Sequence, residues 1–327
     1  MLGRMPELFN RRNHVMNRAT FTALAAAAAV APLPARAQTL TTIRFGTTAV
    51  ESYALAIYTQ EAGFFKKQGL NAEITPFAGG GAVLTAIVGG SLDYATVNWG
   101  AIGNAHAKGI PISVIAAGGL YSTDSPTTIL AVAKNNTTYK TGKDLNGKNI
   151  GVSTIKDLQQ AAVMAWVDST GGDSSTLKFV EMPIPEIPAA LNSNRLDAGI
   201  VVEPILTANK SNIRILAKCY DAITKKLMIC AEIGMTDYLN KNAAQTKKVV
   251  AALNECAVWA NANHEKAGEI LTRVAKIPLT TVSEMNRTVY SDKIDLTTVQ
   301  PVIDASAKYK FLADFKAQDV LWKPPAA

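Results

Sequence analysis

Along this chain, short apolar runs alternate with stretches in which apolar residues recur every three or four positions. That alternation predicts strands and amphipathic helices in turn, an α/β arrangement. Strands are expected at residues 42–46, 72–77, 92–97, 112–116 and 129–133. Helices are expected between them at 53–62, 82–88 and 101–108, with Gly63 ending the first as a C-cap. A polar stretch at 134–140 reads as a linker. The alternation then resumes: strands ending at Val152 and at 177–181, 196–202 and 213–217, and helices at 156–169 and 185–192. From Thr236 onward the pattern is almost entirely helical.

The pattern echoes itself weakly. Residues 86–97 and 190–201 both read as a helix end, a polar turn, a Leu-Asp pair and an apolar strand. Asp93 and Asp197 could pass for catalytic acids, but a carboxylate at a strand entry is better read as bonding backbone there. The echo predicts two lobes built on one plan and facing each other.

The N-terminus departs from this pattern. Arg11, Arg12 and Arg18 precede an Ala-rich apolar run at 19–30, followed by a small-x-small end at Ala35 and Ala37. This order reads as a secretory signal over residues 1–37. Its core is shorter than the roughly 20 apolar residues of a membrane span. Met16 is an alternative start, and Arg11-Arg12 leaves twin-arginine export open beside general secretion. The expected mature product is periplasmic.

The 327 residues carry a formal charge of +7, with 48% hydrophobic residues. Losing residues 1–37 removes five arginines and one glutamate, which lowers the charge to +3. Most of the basic surplus is therefore targeting chemistry, and no nucleic-acid partner is expected. Three cysteines are too few for a disulfide scaffold. Cys219 and Cys230 could pair if the segment between them folds back; otherwise they are small buried thiols, as expected for Cys256.

Candidate chemistry gathers after strand ends, where open α/β sheets bind ligands. Gly79, Gly80, Gly81 and Ala82 open a helix, and their N–H groups suit an anion; an ordinary strand-to-helix turn explains them equally. Thr47 and Thr48 follow the first strand, with Tyr53 opening its helix. Asn98 and Trp99 follow the third. Ser153 and Thr154 follow the strand ending at Val152, where hydroxyls either cap the helix or face a ligand. Glu203 follows Val202 and either starts a helix, receives a ligand ammonium or ring N–H, or spans the cleft to the other lobe. Tyr121 precedes the expected hinge. No Walker A pattern, Gly-x-Ser-x-Gly elbow, His-x-x-x-His or Cys-x-x-Cys motif appears, so neither an enzyme nor a cofactor or metal is called for.

Four stretches together carry a family resemblance: residues 61–70 (Glu-Ala-Gly-Phe-Phe-Lys-Lys-Gln-Gly-Leu), 79–98, 144–152 (Asp-Leu-Asn-Gly-Lys-Asn-Ile-Gly-Val) and 190–204. Over residues 41–307 the chain resembles the solute-binding proteins of ABC importers in the nitrate/sulfonate/taurine group. The resemblance implies a periplasmic-binding-protein type II fold: two α/β lobes joined by a hinge, with the ligand between them. It implies lobe I at 38–128 plus 229–327 and lobe II at 129–228. It implies a monomer that captures a small organic anion and meets a membrane permease with its ATPase. A sulfonate or carboxylate is expected, aromatic or taurine-like included. The implied ligand contacts are Thr47, Thr48, Tyr53, Gly80, Gly81, Ala82, Asn98, Trp99, Tyr121, Ser153, Thr154 and Glu203. Family members often have an aromatic residue two places before the Glu/Asp-Pro pair; here Val201 stands there. Thiamine-pyrimidine synthases share the fold, and a synthase or pyrimidine binder is the alternative, but the synthase's cysteine-rich segment is missing. An extracytoplasmic sensor module is a third reading.

Overall fold

The computed structural model describes residues 39–325, so the expected signal at 1–37 lies outside the described residues. Thirteen strands are described: β1 (Thr41–Thr47), β2 (Leu70–Pro76), β3 (Tyr94–Asn98), β4 (Ile112–Ala117), β5 (Gly119–Ser122), β6 (Thr128–Ala133), β7 (Asn149–Val152), β8 (Lys178–Glu181), β9 (Ala198–Val202), β10 (Ile213–Ala217), β11 (Lys226–Met228), β12 (Cys230–Met235) and β13 (Val289–Tyr290). They form two five-stranded sheets and one small three-stranded sheet.

The first sheet has the order β2-β1-β3-β12-β4. Its strands β1, β2 and β3 are parallel, and β12 runs antiparallel to both neighbours. The second sheet, read from its β8 edge, is β8-β7-β9-β6-β10. Again the first three strands are parallel, and β6 is antiparallel to both neighbours. The two sheets therefore share one topology, and the fold is the two-lobed α/β arrangement that the alternation predicts. The third sheet, β11-β5-β13, lies where the chain passes between the lobes.

Four strands escape the apolar pattern, among them β5, with four residues, and β13, with two. β12 (Cys-Ala-Glu-Ile-Gly-Met) is interrupted by Glu232 and Gly234, so its run of apolar residues is broken. β11 has only three residues, too few to show any period. Elsewhere the expected elements are present with shifted ends. Gly63 takes the left-handed φ of 84° that favours glycine, and it separates the helix Leu55–Glu61 from a further turn, Phe64–Lys67. Cys219, Cys230 and Cys256 are free, buried thiols. Residues 219–230 do not fold back on themselves as two paired strands: Lys226–Met228 pairs with β5 instead.

The echoed Leu-Asp pairs do the same work in both lobes. Asp93 accepts from Arg44 N at 2.7 Å, while Asp93 N donates to Arg44 O at 2.9 Å. Asp197 accepts from Asn149 N at 2.9 Å, while Asp197 N donates to Asn149 O at 2.9 Å. Each aspartate thus clamps the third parallel strand to the start of the first. The preceding leucines pack over a glycine of that same strand. A Cβ on Gly46 would stand 2.3 Å from Leu92 Cδ1, and one on Gly151 would stand 2.5 Å from Leu196 Cδ1. Both aspartates are structural, as the strand-entry reading holds.

One apolar cluster runs through both lobes, with Val97, Trp99 and Ile102 from the first and Leu130, Ile150 and Val152 from the second. This shared core brings the strand ends of the two sheets together.

Candidate functional site

The loops after β1, β3 and β7 and the start of the helix Gly80–Val88 converge on an enclosed cavity. It offers about 20 Å³ to the centre of a water molecule. Both lobes contribute walls: Thr48, Ser52, Tyr53, Gly80 and Asn98 from the first, and Thr128, Ser153, Gln159 and Tyr220 from residues 128–220. Val50, Leu158, Ile184, Val202 and Ile229 supply an apolar side. No Lys, Arg or His stands among the described lining residues.

The polar groups are mostly donors. The helix Gly80–Val88 has no side-chain cap at Gly79, so its first N–H groups have no capping partner there. None of Gly79, Gly80 and Gly81 has a positive φ, and Cβ atoms on them would meet only ordinary contacts. The turn therefore does not require these glycines; their effect is to leave the helix start uncovered. Thr48 Oγ1 is buried without a hydrogen-bond partner among the described residues. Gln159 Oε1 accepts from Ser153 N at 2.8 Å and Ser153 Oγ at 3.0 Å. That fixes its amide orientation and leaves Nε2 as the free donor end. Asn98 Oδ1 accepts from Ala101 N at 2.8 Å, capping the helix Trp99–Ala107, and Nδ2 donates to Asp157 Oδ2 at 2.7 Å. Burial holds the Tyr53 and Tyr220 phenols well above their ordinary range, so both remain protonated donors.

The expected contact residues divide three ways. Thr48, Tyr53, Gly80, Asn98 and Ser153 line the enclosed cavity. Gly81, Ala82 and Thr154, with Ser153 and Gly79 again, line an adjoining hollow of 240 Å³ beside Glu181 and Pro183. Thr47, Trp99, Tyr121 and Glu203 line neither. Thr47 Oγ1 donates to Tyr53 O at 2.7 Å and so shapes the loop after β1. Trp99 is fully buried in the shared core, a plug and not a stacking platform. Tyr121 turns its hydroxyl to Asp221 at 2.7 Å and packs edge-on against Tyr220.

Glu203 reaches across to the other lobe, one of the readings its position allows. Its carboxylate accepts from Thr207 N at 3.0 Å, Thr207 Oγ1 at 2.9 Å and Asn286 N at 3.3 Å. Burial pushes its pKa up, and these bonds oppose the shift. Its carboxylate is thus bonded to Thr207 and Asn286 and does not line the cavity.

Gln159, Ser52, Thr128 and Tyr220 went unnoticed in the sequence. Gln159 lay within a helical pattern, and nothing in spacing marks a helix residue that faces a cleft. Glu51 likewise carries no signal in the sequence pattern. It is buried, pairs with Arg287 at 2.7 Å and accepts from Tyr58 Oη at 2.8 Å.

Comparison with known proteins fits this geometry. A family profile described as NMT1/THI5 like matches residues 51–267. The chain belongs to the NMT1/THI5-like family. A protein of Brucella abortus (strain 2308) named "Putative binding protein" is 24% identical over 271 residues, 80% of each chain. Among solved structures, the ligand-binding component of an ABC-type import system from Staphylococcus aureus superposes with a TM-score of 0.76 at 16% identity. That match covers 87% of this chain and 97% of the other. The periplasmic aliphatic sulphonate binding protein SsuA from Escherichia coli gives 0.69 at 15% identity, covering 88% and 93%. These likenesses establish for this NMT1/THI5-like chain the fold of the periplasmic binding proteins.

Proposed function

We propose that this chain is the periplasmic solute-binding component of an ABC importer. It captures a small organic anion, a sulfonate or carboxylate, between its lobes and hands it as a monomer to a membrane permease with its ATPase. The observation that carries the reading is the enclosed cavity at the start of the helix Gly80–Val88, walled from both lobes by neutral donors. A compact oxyanion matches such donors, because helix N–H groups, amides and hydroxyls all point hydrogen outward. The apolar wall suits a short tail behind the head group. We place the hinge at the passage through β5 and β11, and closure of such clamshells around a ligand is a usual motion. The likeness to the import component and to the sulphonate-binding protein SsuA favours this reading. Among the described residues no helix is long and apolar enough to cross a membrane.

A thermal-shift panel of sulfonates, carboxylates, amino acids, nitrate and pyrimidines tests it. A true ligand at 100 times its Kd stabilises by about 2.7 kcal/mol, and the expected responders are sulfonates or carboxylates. Shifts confined to neutral or cationic compounds overturn the anion, and turnover of a bound compound overturns the carrier.

A further inference from the structure

One buried carboxylate sits directly behind the cavity wall without lining it. Asp157 caps the helix Leu158–Ser169 and accepts from Leu158 N. Its other oxygen takes the 2.7 Å hydrogen bond from Asn98 of the opposite lobe. The lobes touch backbone to backbone at this point. A Cβ on Gly100 would stand 2.5 Å from Asp157 Oδ1 and 2.8 Å from Leu158 N. Next to it, Asn104 Nδ2 donates to Lys156 O at 2.8 Å.

We propose that Asp157 is a positioning residue of the cavity, acting across the lobe boundary through Asn98 to fix which atom Asn98 offers a ligand. The proposal rests on the cavity being a ligand site. An asparagine amide has one acceptor and two donor hydrogens. The Ala101 N–H engages the acceptor, and Asp157 engages one hydrogen. Only the second hydrogen remains, and Asn98 is part of the cavity wall. The carboxylate thus makes Asn98 present hydrogen to the ligand, and the site then selects acceptor-bearing groups there and rejects donors. It also ties this selectivity to closure, since the two partners belong to different lobes.

Burial pushes the Asp157 carboxyl up to about 6, so it is ionised at neutral pH and loses its charge below that. The titratable groups facing it are the Tyr53 and Tyr220 phenols, which remain protonated, and Glu181 on β8, which adds to the upward shift.

The test follows the Asn98 side-chain amide by ¹⁵N NMR in ligand-free protein, with the signal pair assigned from Asn98→Ser. In the wild type the pair should titrate with a midpoint near 6. In Asp157→Asn, which keeps the shape, the pair should move and cease to titrate. A wild-type pair that is flat from pH 4.5 to 8 overturns the proposal, as does one unchanged by Asp157→Asn. Should Asp157→Asn fail to fold, the wild-type titration decides alone. Calorimetry with ethanesulfonate at pH 7.5 supplies the second arm. Asp157→Asn should bind about tenfold more weakly, the scale of one hydrogen bond; equal or tighter binding overturns the relay. If ethanesulfonate fails to bind the wild type, the sulfonate reading is what suffers, and the amide titration still decides the role of Asp157.

Discussion

The two lobes solve one topology with different chemistry. In the first sheet, β12 pairs Glu232 with Thr96 on β3; at the same register in the second, β6 pairs Leu130 with Ile200 on β9. Glu232 is fully buried, accepts from Thr96 Oγ1 at 2.7 Å, and its Oε1 has no partner among the described residues. After β1 stands Thr48, its hydroxyl unpartnered; after β7 stands Ser153, its hydroxyl bonded to Gln159. After β3 comes buried Trp99; at the matching place after β9 comes Glu203, drawn off by Thr207 and Asn286. Topology and strand clamps are repeated, while the positions past the strand ends are not. Shared scaffold and divergent ends are what a binding protein needs, because packing constrains the first and the ligand the second.

The largest expected effects break the repeated packing. Gly46→Val should cost about 3 kcal/mol and Gly151→Val about 2, because each forces a side chain into a packed leucine. Gly46 is the worse site, with Phe77 and Val83 also within 3.4 Å of a Cβ. Urea unfolding measures both; equal tolerance would mean that the two lobes do not share this contact energetically.

Next come the clamps. Asp93→Ala should cost about 2 kcal/mol and Asp197→Ala about 1. The Asp93 side chain is 9% exposed and ion-paired to Arg44 at 2.6 Å, whereas that of Asp197 is 26% exposed with Lys148 at 3.9 Å. The reverse order would show that the second lobe depends more on its clamp.

The Glu232 difference has a pH signature. Burial pushes this carboxyl up to about 8 from an ordinary 4.5. Between those values the folded chain holds a proton that the unfolded chain releases, so stability falls as pH rises through the window. The slope is at most about 1.4 kcal/mol per pH unit. Glu232→Leu with Thr96→Ile, which copies the second lobe's pair, should flatten it in denaturation curves at pH 5 and 8. An unchanged slope would assign it to another group.

The smallest effects concern the loop hydroxyls. Thr48→Val should leave the ligand-free protein unchanged or up to about 1 kcal/mol more stable, because it removes an unsatisfied polar atom. Ser153→Ala should lose about 1 kcal/mol with its bond to Gln159. Melting curves of the two variants sharpen the contrast between a free and a committed hydroxyl.

How much of this could be read from the chain follows the same division. The alternation of apolar runs gave the α/β class, and the Leu-Asp echo gave the repeated plan, because both are local in sequence. The run Gly79–Gly81 pointed to the helix start for a reason that holds, an uncovered helix end, although the backbone angles there are ordinary. The long-range partners were out of reach: Asp157 and Asn98, from different lobes, are 59 positions apart, and Glu51 and Arg287, within one lobe, 236. Trp99 and Glu203 sat just past strand ends as expected and Tyr121 lies within β5, yet packing and hydrogen bonding turned their side chains away. Position along the chain set the neighbourhood of each residue, and tertiary contacts set its direction.

The enclosed cavity has a consequence in time. Its walls are drawn from both lobes, so the contact between the lobes narrows the way in. On the proposed function, entry and exit then depend on the lobes parting, and the frequency of opening limits the rates of both loading and release. Two ligands of unequal affinity would share that limit, and a variant that loosens the lobe contact would exchange its cargo faster even where every group touching the ligand is unchanged.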